Sequence, residues 1–137
     1  MTFQYSQKVI FSAVCLFMLS LTAFSLAPKD CHAFEITIDV APNVLSLQNN
    51  GQVVTVHTDI PYDDVELTSV HINGVLIDSW ESDVRGYFVA RFVMNAIKNL
   101  PLVIGDYNTF TLVGKTFSDG EFSGSQDILV VENDPKN

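Results

Sequence analysis

The sequence is poor in residues that do reactive or cationic chemistry: in 137 residues there are two cysteines, three histidines and seven Lys plus Arg, against sixteen Asp plus Glu, for a net charge of -9. With so few cations and no basic cluster, there is no surface to release phosphate counterions, which excludes a nucleic-acid interface. Charged residues make up only 17% and apolar ones 47%, which excludes extended disorder. No internal repeat, low-complexity stretch or long helical period is present, and the length suits one domain.

The cysteines occupy a distinct N-terminal segment. Lys8 closes a short polar start, and Val9 to Ala27 is a run of 19 residues without a charge. Pro28-Lys29-Asp30 breaks it, and Cys31-His32-Ala33 sets small residues at the -3 and -1 positions of a cleavage site before Phe34. This is the layout of a secretory signal peptide over residues 1-33. The competing reading is an uncleaved membrane anchor through residues 9-27, because 19 helical residues at 1.5 Å each approach the roughly 30 Å hydrocarbon core. Ser12, Ser20, Thr22 and Ser25 weaken it. Cleavage removes Lys8, Lys29 and Asp30, leaving five cations against fifteen anions and a net charge of -10. Cys15 and Cys31 leave too, so the exported part has no disulfide, thiol nucleophile or thiolate metal site.

From Phe34 onward the hydrophobic period is two. Phe34, Ile36, Ile38 and Val40 alternate with Glu35, Thr37 and Asp39 as a first strand, and Val44, Leu45 and Leu47 form a short second piece. After the Asn49-Asn50-Gly51 turn, Val54, Val56 and Ile60 share one face of a third strand. Val65, Leu67, Val70 and Ile72 lead into Asn73-Gly74, a hairpin signal, with Val75-Leu76-Ile77 beyond it. Trp80 lies in a segment without a firm assignment. Tyr87 to Met94 is apolar on both parities except Arg91, as in a central strand. Asn95 to Leu100 reads as a single helical turn, and the runs Tyr107-Phe117 and Phe122-Val131 are joined across Ser118-Asp119-Gly120-Glu121. About seven strands over residues 34-132, followed by a polar tail at 133-137, predict an all-β, immunoglobulin-like antiparallel β-sandwich.

The chain also resembles a known group of modules. The residues that carry this are Ile38-Asp39-Val40, Pro42-Asn43, Leu45-Ser46-Leu47, Val53-Val54-Thr55-Val56, Ile60-Pro61-Tyr62-Asp63-Asp64-Val65, Ile72-Asn73-Gly74, Leu112-Val113-Gly114-Lys115 and Asp119 to Ser125. They are similar to the small immunoglobulin-like β-sandwich modules of secreted and surface proteins of bacteria and archaea, often found beside calcium-binding repeats. The resemblance implies a structural or adhesive spacer with no catalytic residues. Many such modules carry an Asp-rich, Gly-containing calcium loop before the central strand. Here that stretch is Asp78-Ser79-Trp80-Glu81-Ser82-Asp83-Val84-Arg85, without alternating ligands followed by Gly, so calcium is not carried over.

The short motifs carry little chemistry. Gly114-Lys115-Thr116 imitates the end of a phosphate loop, but that loop needs a glycine where Thr109 stands. His57 and Asp59 share a face and His71 lies on a polar parity, too few ligands for a metal centre. Asp63, Asp64 and Glu66, then Glu81 and Asp83, are acidic patches that a calcium site would have to build on. No Gly-x-Ser-x-Gly elbow exists. The expectation is a non-enzyme with no cofactor.

What remains is surface. If Phe88, Ala90, Phe92 and Met94 point inward, Tyr87, Val89 and Val93 point outward. If Phe110, Leu112, Ile128 and Val130 fill the core, then Val113, Leu129 and Val131 face away, unless Leu102, Val103 and Ile104 cover them. The sequence therefore points to an exported module that acts through its surface in structure, assembly or adhesion, with another envelope or surface protein, or a second copy, as partner. The alternative is a small ligand-binding module for carbohydrate or weakly bound calcium, with Tyr62, Trp80 and Tyr107 as stacking aromatics.

Overall fold

A computed structural model describes residues 33-118 and 120-133. The signal segment up to His32, with its alternative as an anchor, and the last four residues of the polar tail lie outside the described residues. Among the described residues no helix is long and apolar enough to cross a membrane.

Among the described residues ten strands form two sheets. The first sheet has six, in the order β1 (Phe34–Glu35), β10 (Glu121–Val131), β9 (Asp106–Thr116), β5 (Val65–Ile72) and β6 (Val75–Leu76), with β3 (Val44–Ser46) also on β10. The second runs β2 (Ile38–Ala41), β4 (Val53–Pro61), β8 (Tyr87–Val93) and β7 (Ser79–Ser82). Among the described residues a 3-10 turn (Tyr62–Asp64) and one short helix, α1 (Met94–Lys98), complete the elements.

Both sheets contribute their inward parity to one core. Phe88, Ala90 and Phe92 from the second sheet, with Met94 at the start of α1, meet Phe110, Leu112, Phe122, Ile128 and Val130 from the first, all nearly devoid of solvent contact. The all-β, two-sheet expectation therefore holds. At 25 cal/mol per Å², each buried Phe or Leu contributes about 1.5–3 kcal/mol.

The N-terminal stretch departs from the single strand expected over Phe34 to Val40. β1 runs parallel to β10, pairing Phe34 with Phe122 and Glu35 with Ser123, and then the chain changes sheets. β2 pairs with β4 instead, with Asp39 opposite His57. The crossing passes over Gly124 of β10, and a Cβ there would lie 2.7 Å from the Ile36 carbonyl oxygen and 2.8 Å from Ile38 Cγ2. Two residues on, Gln126 Oε1 accepts the Val40 N–H at 2.7 Å and ties β2 to β10 across the layers. After the cis Ala41–Pro42 bond, β3 returns to β10 with Val44 opposite Leu129.

The hairpins follow turn chemistry. Asn73 and Gly74 both take positive φ (45° and 85°), the conformation a two-residue turn between β5 and β6 demands. In β5 the register shifts between Glu66 and His71, which is why Val65 and Leu67 face the core on one parity and Val70 and Ile72 on the other. Ser69 fills the bulge, donating to the Glu66 carbonyl and accepting the Lys115 N–H. The unassigned stretch around Trp80 is β7, an edge strand with Trp80 opposite Ala90.

Candidate functional site

The outward residues named from the sequence do not form one surface. Tyr87, Val89 and Val93 lie on the four-stranded sheet, whereas Val113, Leu129 and Val131 lie on the six-stranded sheet. Val89 is also not a surface residue, because only 1% of it is exposed. It sits between His57 on β4 and Glu81 on β7, and the Glu81–Arg91 ion pair spans its strand boundary. Long polar side chains cover an outward valine in this way. Tyr87 is half-buried, with the Arg85 guanidinium 5.3 Å from its ring centre. Val93 is 42% exposed, beside its cross-strand partner Val53.

On the six-stranded sheet the outer face is divided by a hydroxyl belt. Thr111 Oγ1 meets Ser125 Oγ at 2.9 Å, and Thr109 Oγ1 donates to Asp127 Oδ1 at 2.7 Å. Asn73 closes the belt, accepting the Thr111 N–H and donating to the Thr109 carbonyl. Val113, opposite His71 and Ser123, lies on one side of the belt. Leu129 lies on the other, six residues further along β10 from Ser123, or about 20 Å at the strand rise.

Around Leu129 the apolar side chains converge. Leu129 is in register with Tyr107 on β9 and with Val44 on β3, so the three make one transverse row over three strands. Val131 is the next outward residue of β10, and the Gly105 N–H donates to the Val130 carbonyl beside it. Tyr107 is 65% exposed, Ile104 52% and Val103 60%. Leu129, Val131 and Val44 are themselves half-buried, and Tyr107 is the member of the row that stands exposed. Leu102 packs on the core, while Val103 and Ile104 stand in solvent. Asn108 holds the connection, its side chain accepting the Val103 N–H and donating to the Val103 carbonyl.

Tyr107 thus belongs to an apolar row rather than to an aromatic platform. Tyr62 packs against Phe88 in the 3-10 turn, next to the Val65–Thr116 pair, at the opposite end of β9 from Tyr107. The two are separated by about 30 Å along that strand. Trp80 is on the edge of the other sheet. No single flat surface holds all three.

The polar groups are engaged in structure. Asp83 Oδ1 accepts the N–H groups of Arg85 and Tyr87 at 2.8 and 2.9 Å and so shapes the β7–β8 turn. The Tyr87 N–H, the Arg85 N–H and the nearby Arg85 guanidinium hold its carboxyl below the usual carboxylate range, against the opposing effect of desolvation. Asp63 and Asp64 stand exposed in the 3-10 turn. His57 and Asp59 share a shallow hollow of about 410 Å³ with Thr37, Asp39 and Arg85, and Asp59 Oδ1 is taken by the Thr37 N–H. Among the described residues no three of His, Cys, Asp or Glu come together as a metal site. Gly114 lies inside β9 opposite Phe122, where a Cβ would strike the Phe122 ring, so the glycine of the phosphate-loop look-alike is a packing residue.

Val44 is the member of the row that sequence reasoning did not place there; Tyr107 enters it from the stacking set, and Val103 and Ile104, expected as its cover, stand in solvent. The available signal was the β9–β10 register, in which Thr116 N–H donates to the Gly120 carbonyl and Tyr107 falls opposite Leu129. Compared with known proteins, the chain matches no family model, no curated protein and no solved structure.

Proposed function

We propose that this chain is an exported, non-enzymatic, immunoglobulin-like module that works by docking another envelope or surface protein on the outer face of its six-stranded sheet. The strand order supports the finer fold reading. β2-β4-β8-β7 has the A-B-E-D order of such domains, and β10-β9-β5 has their G-F-C order, with β6 as C′. The observation that carries the function is the row Val44–Leu129–Tyr107, in which the half-buried Val44 and Leu129 lie in register with an exposed Tyr107, preceded along the chain by the exposed Val103 and Ile104. The uncharged run at 9-27, ending in the small-residue site before Phe34, supports export.

Site-specific photocrosslinking in the native cell tests this reading. A photoreactive side chain at position 107 or 104 is expected to trap a discrete protein adduct in the envelope fraction, with none from position 59 on the other sheet. Equal labelling from all three positions, or none from 107 and 104, overturns it. N-terminal sequencing of the recovered chain is expected to begin at Phe34, and an intact residue 1 would support the anchor through 9-27 instead.

A further inference from the structure

Two Asn-Gly bonds occur among the described residues, Asn50–Gly51 and Asn73–Gly74, and the fold holds them differently. An asparagine before glycine is open to attack at its own side chain, because no Cβ crowds the following backbone nitrogen. In that reaction the Gly nitrogen bonds to the Asn Cγ, the bond from Cγ to Nδ2 breaks, and the proton of the Gly nitrogen leaves with the amide as ammonia. Water then opens the five-membered ring, at one carbonyl to give aspartate and at the other to give isoaspartate. The first step needs an amide free to turn towards its neighbour, and the second needs access for water.

Asn73 lacks that freedom. Its Nδ2 donates to the Thr109 carbonyl at 3.1 Å and its Oδ1 accepts the Thr111 N–H at 2.9 Å, so both ends of the amide are fixed to β9. Its backbone N–H donates to the Thr111 carbonyl as well. Asn50 lies in the connection 47-52 between β3 and β4, outside any strand. It is exposed, and among the described residues its side chain has no hydrogen-bond partner. The anchors of the connection bypass that side chain: the Asn49 N–H donates to the Ser46 carbonyl, Lys98 to the Asn49 carbonyl, and the Met94 N–H to the Gln52 carbonyl. The Gly51 N–H donates to Asn49 Oδ1 at 2.6 Å, an exposed bond that water can replace. A hollow of about 520 Å³, which Asn50 lines with Gln52, Asp78 and Lys98, admits the water for ring opening.

We infer that Asn50 is a self-modifying site, converting in the folded protein to aspartate and isoaspartate with loss of ammonia, while its hairpin shields Asn73. The product places a new carboxylate on the hollow that holds Lys98, and isoaspartate lengthens the backbone of the β3–β4 connection by one carbon. The hollow adjoins Val53 and Val93 of the four-stranded sheet, so this chemistry stands apart from the docking reading above.

For the test, the recovered chain is held folded in mildly alkaline buffer. Amide loss at each asparagine is followed by mass spectrometry with electron-transfer fragmentation, which separates aspartate from isoaspartate. Asn50 is expected to convert at least about tenfold faster than Asn73, since two hydrogen bonds must open before Asn73 can react. In urea, where loop and hairpin are both open, the two rates are expected to agree within about threefold. Gly51→Ala crowds the attacking nitrogen and is expected to slow Asn50 by about tenfold or more while leaving Asn73 unchanged. Equal rates in the folded chain, or faster conversion at Asn73, would deny the shielding and overturn the inference. So would a preference for Asn50 that persists undiminished in urea, which would make the difference one of local sequence. An unslowed Gly51→Ala would mean direct hydrolysis of the side chain, and no conversion of folded Asn50 while the urea-treated chain reacts would mean that the connection holds Gly51 too firmly; either result overturns it.

Discussion

Replacing Gly124 by alanine adds one methyl group at the place where the N-terminal stretch crosses from one sheet to the other. The added carbon would sit 2.7 Å from the Ile36 carbonyl oxygen, 2.8 Å from Ile38 Cγ2 and 3.0 Å from Ile36 Cγ1. Relieving these contacts requires β10 and the β1–β2 crossing to separate by about 0.5–1 Å, since optimal carbon contacts lie near 3.5–4.0 Å. The nearest obstacle is backbone, so no rotamer change removes it. Overpacking of this kind costs about 1–3 kcal/mol, and the loss of unfolded-chain freedom on going from Gly to Ala returns about 0.4–1 kcal/mol. The net expectation is a destabilisation of about 1–2 kcal/mol, or about 4–15 °C in Tm for a domain of this size. The separation also stretches the bond from the Val40 N–H to Gln126 Oε1, which raises the loss towards the upper figure. Urea titration followed by the fluorescence of Trp80, with a thermal scan, measures it. Gly51→Ala serves as comparison: its nearest obstacle is the Asn49 Oδ1, a side-chain atom whose bond from the Gly51 N–H is exposed and replaceable by water, so a shift of about 1 kcal/mol or less is expected. A Gly124→Ala midpoint equal to or above that of the parent would refute the account of the crossing.

Two further outcomes follow from the packing and the turn. Thr58, buried in β4, donates to the Phe88 carbonyl at 2.6 Å where the β4–β8 register shifts, so Thr58→Val leaves that carbonyl unpaired and is expected to cost about 1–3 kcal/mol in denaturant titration; a neutral result would mean that solvent reaches the shift. Because the pKa of Asp83 is lowered on folding, its contribution to stability is present above the ordinary carboxylate pKa and is lost as pH falls through the lowered folded value. Asp83→Asn is therefore expected to narrow the gap in Tm between neutral pH and pH about 3, and an unchanged gap would show that the turn does not depend on the charge.

Much of the core was legible because alternation is a strong signal where one face is buried. Phe110, Leu112, Ile128 and Val130 point inward as their parity requires. The first strand was harder. Its alternation from Phe34 to Val40 is unbroken, since Ile36 and Ile38 stay inward while the hydrogen-bonding partner changes from β10 to β4. Parity records which way a side chain points and says nothing about which sheet supplies the partner. Val89 was misread for a related reason, because outward parity on a central strand does not mean exposure when His57 and Glu81 flank it. The row at Leu129 needed long-range pairing: Val44 reaches it across 85 positions of sequence. Trp80 was left unassigned because β7 has no buried residue, so its sequence carries no alternation to read.

The position of β10 at the hub of the first sheet makes completion of this domain a matter of order. Phe34 and Val44, near the start of the described residues, both find their partners on the final strand. Contacts so distant along the chain close late and slowly. A nascent chain that has not yet delivered residues 121-131 has nothing for β1 and β3 to pair with, and Ile36 and Ile38 lack the strand their crossing packs on. β2, β4 and β8 can align with each other before then, but the first sheet closes only once the last strand has arrived.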